Sequence, residues 1–367
     1  MKNLLPLLVM TIGVPACGQT LVSPEVHADR RVTFRLRAPH AREVAVRCEG
    51  TRVSAMQNDG QGVWSVTTEP MEADIYAYSF SVDGLRTIDP SNPLLKYNLL
   101  STDSQVHVPG PATLAWEIGE VPHGILHRHL YRSAIVGVER PFVVYTPPGY
   151  DPTGTKTYPV LYLLHGFSDA EDAWTSVGRA NIILDNLIAQ NKARPMLVVM
   201  PLGYGNTEVI AGGWAGLRNM TVWRDSNEKF RQALLAEVIP QVEKAYRVST
   251  DRHARAIAGL SMGGTQSLLT GFNALDRFAW IGAFSSGGLD ADFDRAYPAV
   301  DETVHSRLRL LWISCGRQDG LMGVNEKLVA WLRSKGVKPE WVQTEGGHSF
   351  TVWRRNLIEF ASRLFQD

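Results

Sequence analysis

The chain is short of cysteine and carries no surplus of charge. Only three cysteines occur in 367 residues, Cys17, Cys48 and Cys315. That is too few for a disulfide-built scaffold. Cys48 and Cys315 fall in segments of different pattern, so each is expected to act as a small apolar residue. Lys and Arg number 37, and Asp and Glu also 37. Balanced charge without a Lys/Arg block gives no electrostatic footprint for nucleic acid or an anionic surface. No H-E-x-x-H or clustered Cys/His spacing marks a metal site, and nothing signals a cofactor. Beyond the N-terminus no apolar run is long enough to span a bilayer. What remains is enough chain for one large domain or two moderate ones.

The N-terminus is the exception to the missing apolar runs. Lys2 supplies a positive start, Leu4 to Val14 an apolar core too short for a stable span, and Ala16-Cys17-Gly18 small residues for cleavage. That order predicts an export signal over residues 1–18. Val14-Pro15-Ala16-Cys17 also resembles a bacterial lipobox, with Cys17 as the lipid-modified residue. Lipid anchoring and free secretion both stay open.

Over residues 19–109 the period is two. Val32, Phe34 and Leu36 alternate with Thr33, Arg35 and Arg37, and Tyr76, Tyr78, Phe80 and Val82 alternate with Ala77, Ser79 and Ser81. Turn signals at Asn58-Asp59-Gly60 and Asp83-Gly84 punctuate these runs. The pattern predicts an all-β sandwich of immunoglobulin type. Residues 110–124, with Gly110-Pro111 at their start, read as a linker. From 125 to 367, buried apolar runs alternate with helix-length amphipathic runs (Asn181 to Gln190, Asn227 to Tyr246, Asn325 to Ser334). That predicts an α/β domain with a mainly parallel sheet.

Within that domain Gly259-Leu260-Ser261-Met262-Gly263 follows a strand-like run and opens a helix-like run. G-x-S-x-G in this context reads as a nucleophile elbow, a sharp turn that lifts a serine hydroxyl out of the sheet. An acid and then a histidine are needed downstream. Asp319 follows the strand-like run Leu308 to Cys315, and His348 follows Pro339 to Thr344. Ser261, Asp319 and His348 thus each sit past a strand end, and in a parallel sheet those ends share one rim. Serine needs an adjacent base, and the base needs an orienting acid. The backbone N–H groups of Met262 and Phe167 are the expected oxyanion donors, the latter on the loop His165-Gly166-Phe167 after Pro159 to Leu164. Asp290 is the second candidate for the acid. Asp292 and Asp294 read as solvated loop charges, Glu345 is close to His348 in sequence but its loop would have to fold back, and His165 reads as support for its loop. His127 and His129 share a strand face without a metal pattern.

Taken together these residues resemble the family 1 carbohydrate esterases, an α/β-hydrolase group that includes feruloyl and acetylxylan esterases. The likeness rests on Val144-Tyr145-Thr146-Pro147-Pro148-Gly149-Tyr150, on Tyr162-Leu163-Leu164-His165-Gly166 and on the elbow. The first domain resembles the glycogen-binding-type module, carbohydrate-binding module family 48, through Gly62-Val63-Trp64-Ser65-Val66, Tyr76 to Gly84 and Asp89-Pro90-Ser91-Asn92-Pro93. Trp64 reads as core. The resemblance implies an exported serine esterase that takes acyl groups, feruloyl first, from a polysaccharide or oligosaccharide ester such as arabinoxylan. Acetylxylan esterase, an enterochelin-esterase-like hydrolase and a noncatalytic glycan-binding protein are the alternatives. Trp174, Trp214 and Trp353 are candidates to stack on substrate rings.

Overall fold

The computed structural model describes residues 21–366; the expected export signal, with Cys17, lies outside them. The period-two stretch folds into two antiparallel sheets. One runs Glu25–Val26, Val32–Arg37, Val63–Thr67, Gln57–Asn58. The other is built on Asp74–Val82, flanked by Val44–Cys48 and Asp103–Val108. Alternate side chains point inward, as strand geometry requires. Val32, Phe34 and Leu36 meet Val44, Val46, Tyr78, Phe80 and Val106 in one core. Trp64 belongs to that core and donates its Nε1–H to Ala38 O at 2.9 Å.

From Ile125–Arg132 onward the chain builds an eight-stranded mixed sheet. In chain order the strands are Ile125–Arg132, Glu139–Thr146, Val160–Leu164, Leu197–Pro201, Arg255–Leu260, Trp280–Phe284, Leu310–Gly316 and Glu340–Thr344. The third and fourth exchange places across the sheet. The first two strands pair antiparallel, the second of them also pairs antiparallel with Leu197–Pro201, and the remaining pairings are parallel. The parallel strands from Val160–Leu164 to Leu310–Gly316 are buried along their whole length, because helices cover both faces. Ala180–Ala189 and Phe350–Arg363 cover one face through Ile183, Leu184, Leu357 and Phe360. Met262–Phe272 and Met322–Ser334 cover the other through Leu268, Phe272, Leu328 and Leu332. Cys48 and Cys315 are buried free thiols.

One expectation needs correction. The helix expected from Asn227 starts seven residues earlier, at Met220, because the Asn219 side chain accepts the Val222 N–H and caps it. It is also interrupted by a π-helical turn at Leu234–Val238. Residues 110–124, expected as a linker, pack against the α/β domain. Trp116 is buried in the core of the α/β domain, and Asn186 Nδ2 donates to both Ala115 O and Glu117 O at 2.8 Å.

A buried ion pair also joins the two halves. The Arg354 guanidinium, fully buried in the last helix, donates to Asp74 Oδ1, to Ile75 O and to Val177 O. Asp74 Oδ2 lies 2.9 Å from Arg355 Nη1, an ion pair without hydrogen-bond alignment.

Candidate active site

Arg255–Leu260 and Met262–Phe272 are joined by Ser261 alone. Its backbone sits at φ 52° and ψ −115°, a conformation that costs a non-glycine residue about 1–3 kcal/mol. The turn is held by Ser261 N–H donating to Phe284 O at 2.8 Å and Gly287 N–H donating to Ser261 O at 3.0 Å. The neighbours must be glycine. A Cβ on Gly263 would lie 2.6 Å from His165 O, and one on Gly259 2.6 Å from Gly263 O. A serine at a helix start usually caps the helix with its oxygen. Ser261 does not. Its Oγ instead lies 3.1 Å from His348 Nε2, and His348 Nδ1 lies 2.8 Å from Asp319 Oδ2. The three residues expected at strand ends are therefore in hydrogen-bond contact along one rim.

The Asp319 side chain is buried while that of His348 is 38% exposed. Burial alone would raise the Asp319 carboxyl. The His348 hydrogen bond, the His348 charge and the Leu321 N–H together outweigh it and hold the carboxyl below its ordinary range. An ionised Asp319 fixes the proton of a neutral His348 on Nδ1, leaving Nε2 to accept from the serine hydroxyl. Trp353 sets its ring edge-on to His348, with centroids 4.8 Å apart, and donates Nε1–H to Ser285 Oγ. Asp290 is engaged by Arg224 and Arg295 instead, Asp292 caps Arg295, and Asp294 pairs with Lys335. Glu345 accepts from Gln318. His127 and His129 share a face, against Thr146 and Tyr246. Among the described residues no group of His, Cys, Asp and Glu is arranged to hold a metal ion.

The loop after Val160–Leu164 is organised by His165. This buried imidazole accepts the Gly203 N–H on Nε2 at 2.8 Å, so its proton sits on Nδ1 and goes to Gly166 O at 2.8 Å. Asp169 N–H donates to the same carbonyl. The Gly166–Phe167 peptide is trans, so the Phe167 N–H points the opposite way from that carbonyl. Gly166, Phe167, Ser261 and Met262 all line one cavity of about 830 Å³. Met262 N–H opens the helix and has no intrahelical acceptor. The residues carrying both expected amide donors therefore line the same cavity as the serine.

Burial pushes the His165 imidazole down to about 4. The unfolded imidazole takes up its proton near pH 6.5, so between those values the unfolded chain binds more protons. The stability gained from a neutral His165 is full above pH 6.5 and is lost as pH falls toward 4, about 3 kcal/mol in all. Asp169 works oppositely, since burial pushes its carboxyl up to about 6. A comparison with His165→Asn isolates the histidine. The stability difference between wild type and variant, from urea unfolding, should shrink as pH drops from 7 to 4.5. A difference independent of pH would refute this assignment.

The three tryptophans part ways. Trp174 does not reach substrate space. It is fully buried between Phe284 and Phe350, and its Nε1–H donates to Leu164 O. Placement after the oxyanion loop suggested a rim residue, but the short helix Ala173–Ser176 turns it into the core. Trp214 and Trp353 line the cavity, Trp214 with more than half its surface exposed. Phe167 and Trp223 complete an aromatic wall beside Trp214.

Another part of the cavity lining was not legible in the sequence. It comes from the N-terminal domain, through Arg47, Arg86, Lys96, Asn98, Ser101 and Asp103. No local signal ties these residues to an elbow more than 150 positions away. Asp169, also on the cavity, was missed because one carboxylate in a loop reads as a solvated charge. A separate cavity of about 500 Å³ opens at the N-terminal ends of the parallel strands, beside Pro159, Ala254, Trp280 and Arg309, and holds none of the residues around Ser261.

Comparison with known proteins agrees with this architecture. Residues 133–364 match the Esterase family. An endo-1,4-beta-xylanase/feruloyl esterase of Xylanibacter ruminicola is 30% identical over 354 residues, which is 94% of this chain and 46% of the relative. The chain thus spans about half the length of that relative. A ferulic acid esterase of Anaeromyces mucronatus, solved with ferulic acid, superposes with a TM-score of 0.60 at 23% identity, covering 70% of this chain and 96% of its own. The enterochelin esterase of Shigella flexneri superposes with a TM-score of 0.72 at 20% identity, covering 98% of this chain and 99% of its own. At those identities the two structures share the fold. With an α/β-hydrolase-like sheet, the strained serine turn and a match over most of the chain, the protein belongs to the Esterase family.

Proposed function

We propose that the protein is an exported serine esterase that removes acyl groups, feruloyl foremost, from plant cell-wall polysaccharide. The observation that carries the reading is the unbroken contact Ser261 Oγ, His348, Asp319 at the tip of the strained turn. In this mechanism His348 takes the serine proton as Oγ attacks the ester carbonyl. The oxyanion is held by the Met262 and Phe167 amides. Collapse expels the alcohol, which receives the proton from His348, and leaves an acyl group on Ser261. Water activated by His348 then releases the acid and restores the serine.

The choice of acyl group is supported by the relative's activity and by the aromatic wall of Phe167, Trp214 and Trp223, which offers flat apolar faces to a ring. The N-terminal domain is assigned as an immunoglobulin-like sandwich of the glycogen-binding type, on its two antiparallel sheets and the motifs around Trp64. Export rests on the sequence of residues 1–18.

The test combines labelling with substrate choice. A fluorophosphonate should add once, on Ser261, by mass spectrometry, and methyl ferulate should be cleaved faster than acetylated xylan. Labelling elsewhere would overturn the nucleophile. Faster release of acetate would overturn the feruloyl assignment.

A further inference from the structure

The oxyanion loop of one domain is tied down by the other. Leu99 N–H donates to Ser168 O at 2.7 Å. Asn98 Nδ2 donates to Ser168 Oγ at 2.8 Å and to Asp169 Oδ1 at 3.2 Å. On its other side, Asn98 Oδ1 accepts from Leu100 N–H at 3.1 Å and Ser101 N–H at 3.2 Å. Two donors and two acceptor positions are all that a carboxamide has, so the Asn98 side chain is fully used. It lines the cavity but has no hydrogen bond left for a substrate. Leu100, two residues on, packs against the cluster that contains Phe167, Tyr204 and Met262.

The loop needs such a tie. Ser168 sits at φ 70°, in the left-handed region that a serine adopts at a cost. Ser168 directly follows Phe167, whose amide is one of the two expected oxyanion donors. Freed from Asn98, Ser168 gains by relaxing, which turns the Phe167–Ser168 peptide. The Phe167 N–H belongs to the preceding Gly166–Phe167 peptide, whose carbonyl accepts the N–H of Asp169, the other residue that Asn98 grips.

We propose that Asn98 is a positioning residue for the ester-cleaving site, acting from the N-terminal domain to hold the Phe167 amide where the oxyanion forms. The proposal rests on the serine-esterase reading and deepens it. The all-β domain is then a working part of the catalytic unit, in addition to forming one wall of the cavity.

The test uses the full chain and p-nitrophenyl acetate, an ester too small to need the N-terminal wall. Two variants separate the possibilities. Asn98→Ala removes all four side-chain bonds and leaves only the Leu99 N–H on Ser168 O. Asn98→Asp keeps the acceptor for Leu100 and Ser101 but cannot donate to Ser168 or Asp169. Removing an oxyanion donor outright costs roughly a hundred- to a thousandfold in turnover. Loosening one should cost about tenfold in kcat in both variants, with KM unchanged. The affinity of a phenylboronic acid, which forms a tetrahedral adduct on the serine, should fall by the same factor.

A kcat within twofold of wild type in both variants would overturn the proposal, as would a loss confined to KM. So would full activity in Asn98→Asp alongside a defective Asn98→Ala, which would mean that only the local turn matters. Loss of activity in Ser261→Ala with no change in the Asn98 variants rejects the tie alone. Activity retained in Ser261→Ala rejects the esterase mechanism itself.

Discussion

Ser261→Ala is expected to lower the turnover of p-nitrophenyl acetate about a millionfold, with KM nearly unchanged. The size follows from the arrangement of the site. In the proposed mechanism His348 and Asp319 act on the formation and breakdown of an acyl group carried by Ser261, so without Oγ that route is closed. The two oxyanion amides stay in place, so slow attack by water should survive at about a thousand times the uncatalysed rate. Folding should be little affected. Alanine has the same Cβ in the same strained conformation, and Oγ makes no capping bond to lose. Steady-state kinetics on a variant with wild-type thermal unfolding checks this. A variant that keeps even a hundredth of the wild-type rate, contamination having been excluded by the fluorophosphonate, would place the nucleophile elsewhere.

Asp74→Ala should cost about 3–5 kcal/mol of stability, the range for stranding one partner of a buried ion pair. Asp74 and Arg354 are both essentially solvent-free, and 280 positions of chain separate them. Arg354 would keep its bonds to Ile75 O and Val177 O, but its charge would remain buried without a counterion. Replacing both residues with apolar ones of similar volume should recover much of the loss, since the pair itself yields little net stability against its desolvation. Urea unfolding of the single and double variants measures both numbers. A single variant that loses less than about 1 kcal/mol would show that water reaches Arg354.

Much of the site was legible because its signals are local. Gly259 to Gly263 spell out a turn whose glycines are demanded by contacts within a few ångströms, and Asp319 and His348 each follow a recognisable apolar strand. The period-two and buried-run patterns separated an all-β stretch from an α/β stretch because burial acts on each segment independently. What stayed hidden depends on contacts between distant segments. Trp174 sits at the right sequence distance from the oxyanion loop, yet one short helical turn aims it inward. The connector around Trp116 has the composition of a linker, and only the Asn186 bonds to Ala115 O and Glu117 O reveal that it packs on the α/β domain. Asn98 lies in a stretch with no motif at all, and its role exists only once Ser168 and Asp169 are placed beside it.

The left-handed backbone at residue 261 has a consequence for how this molecule can change. Glycine would sit there without strain, so heat resistance alone would favour exchanging the serine for glycine, at the cost of the reaction. Screens for thermotolerant descendants should therefore read out ester cleavage together with melting, or the fittest survivors will be inert.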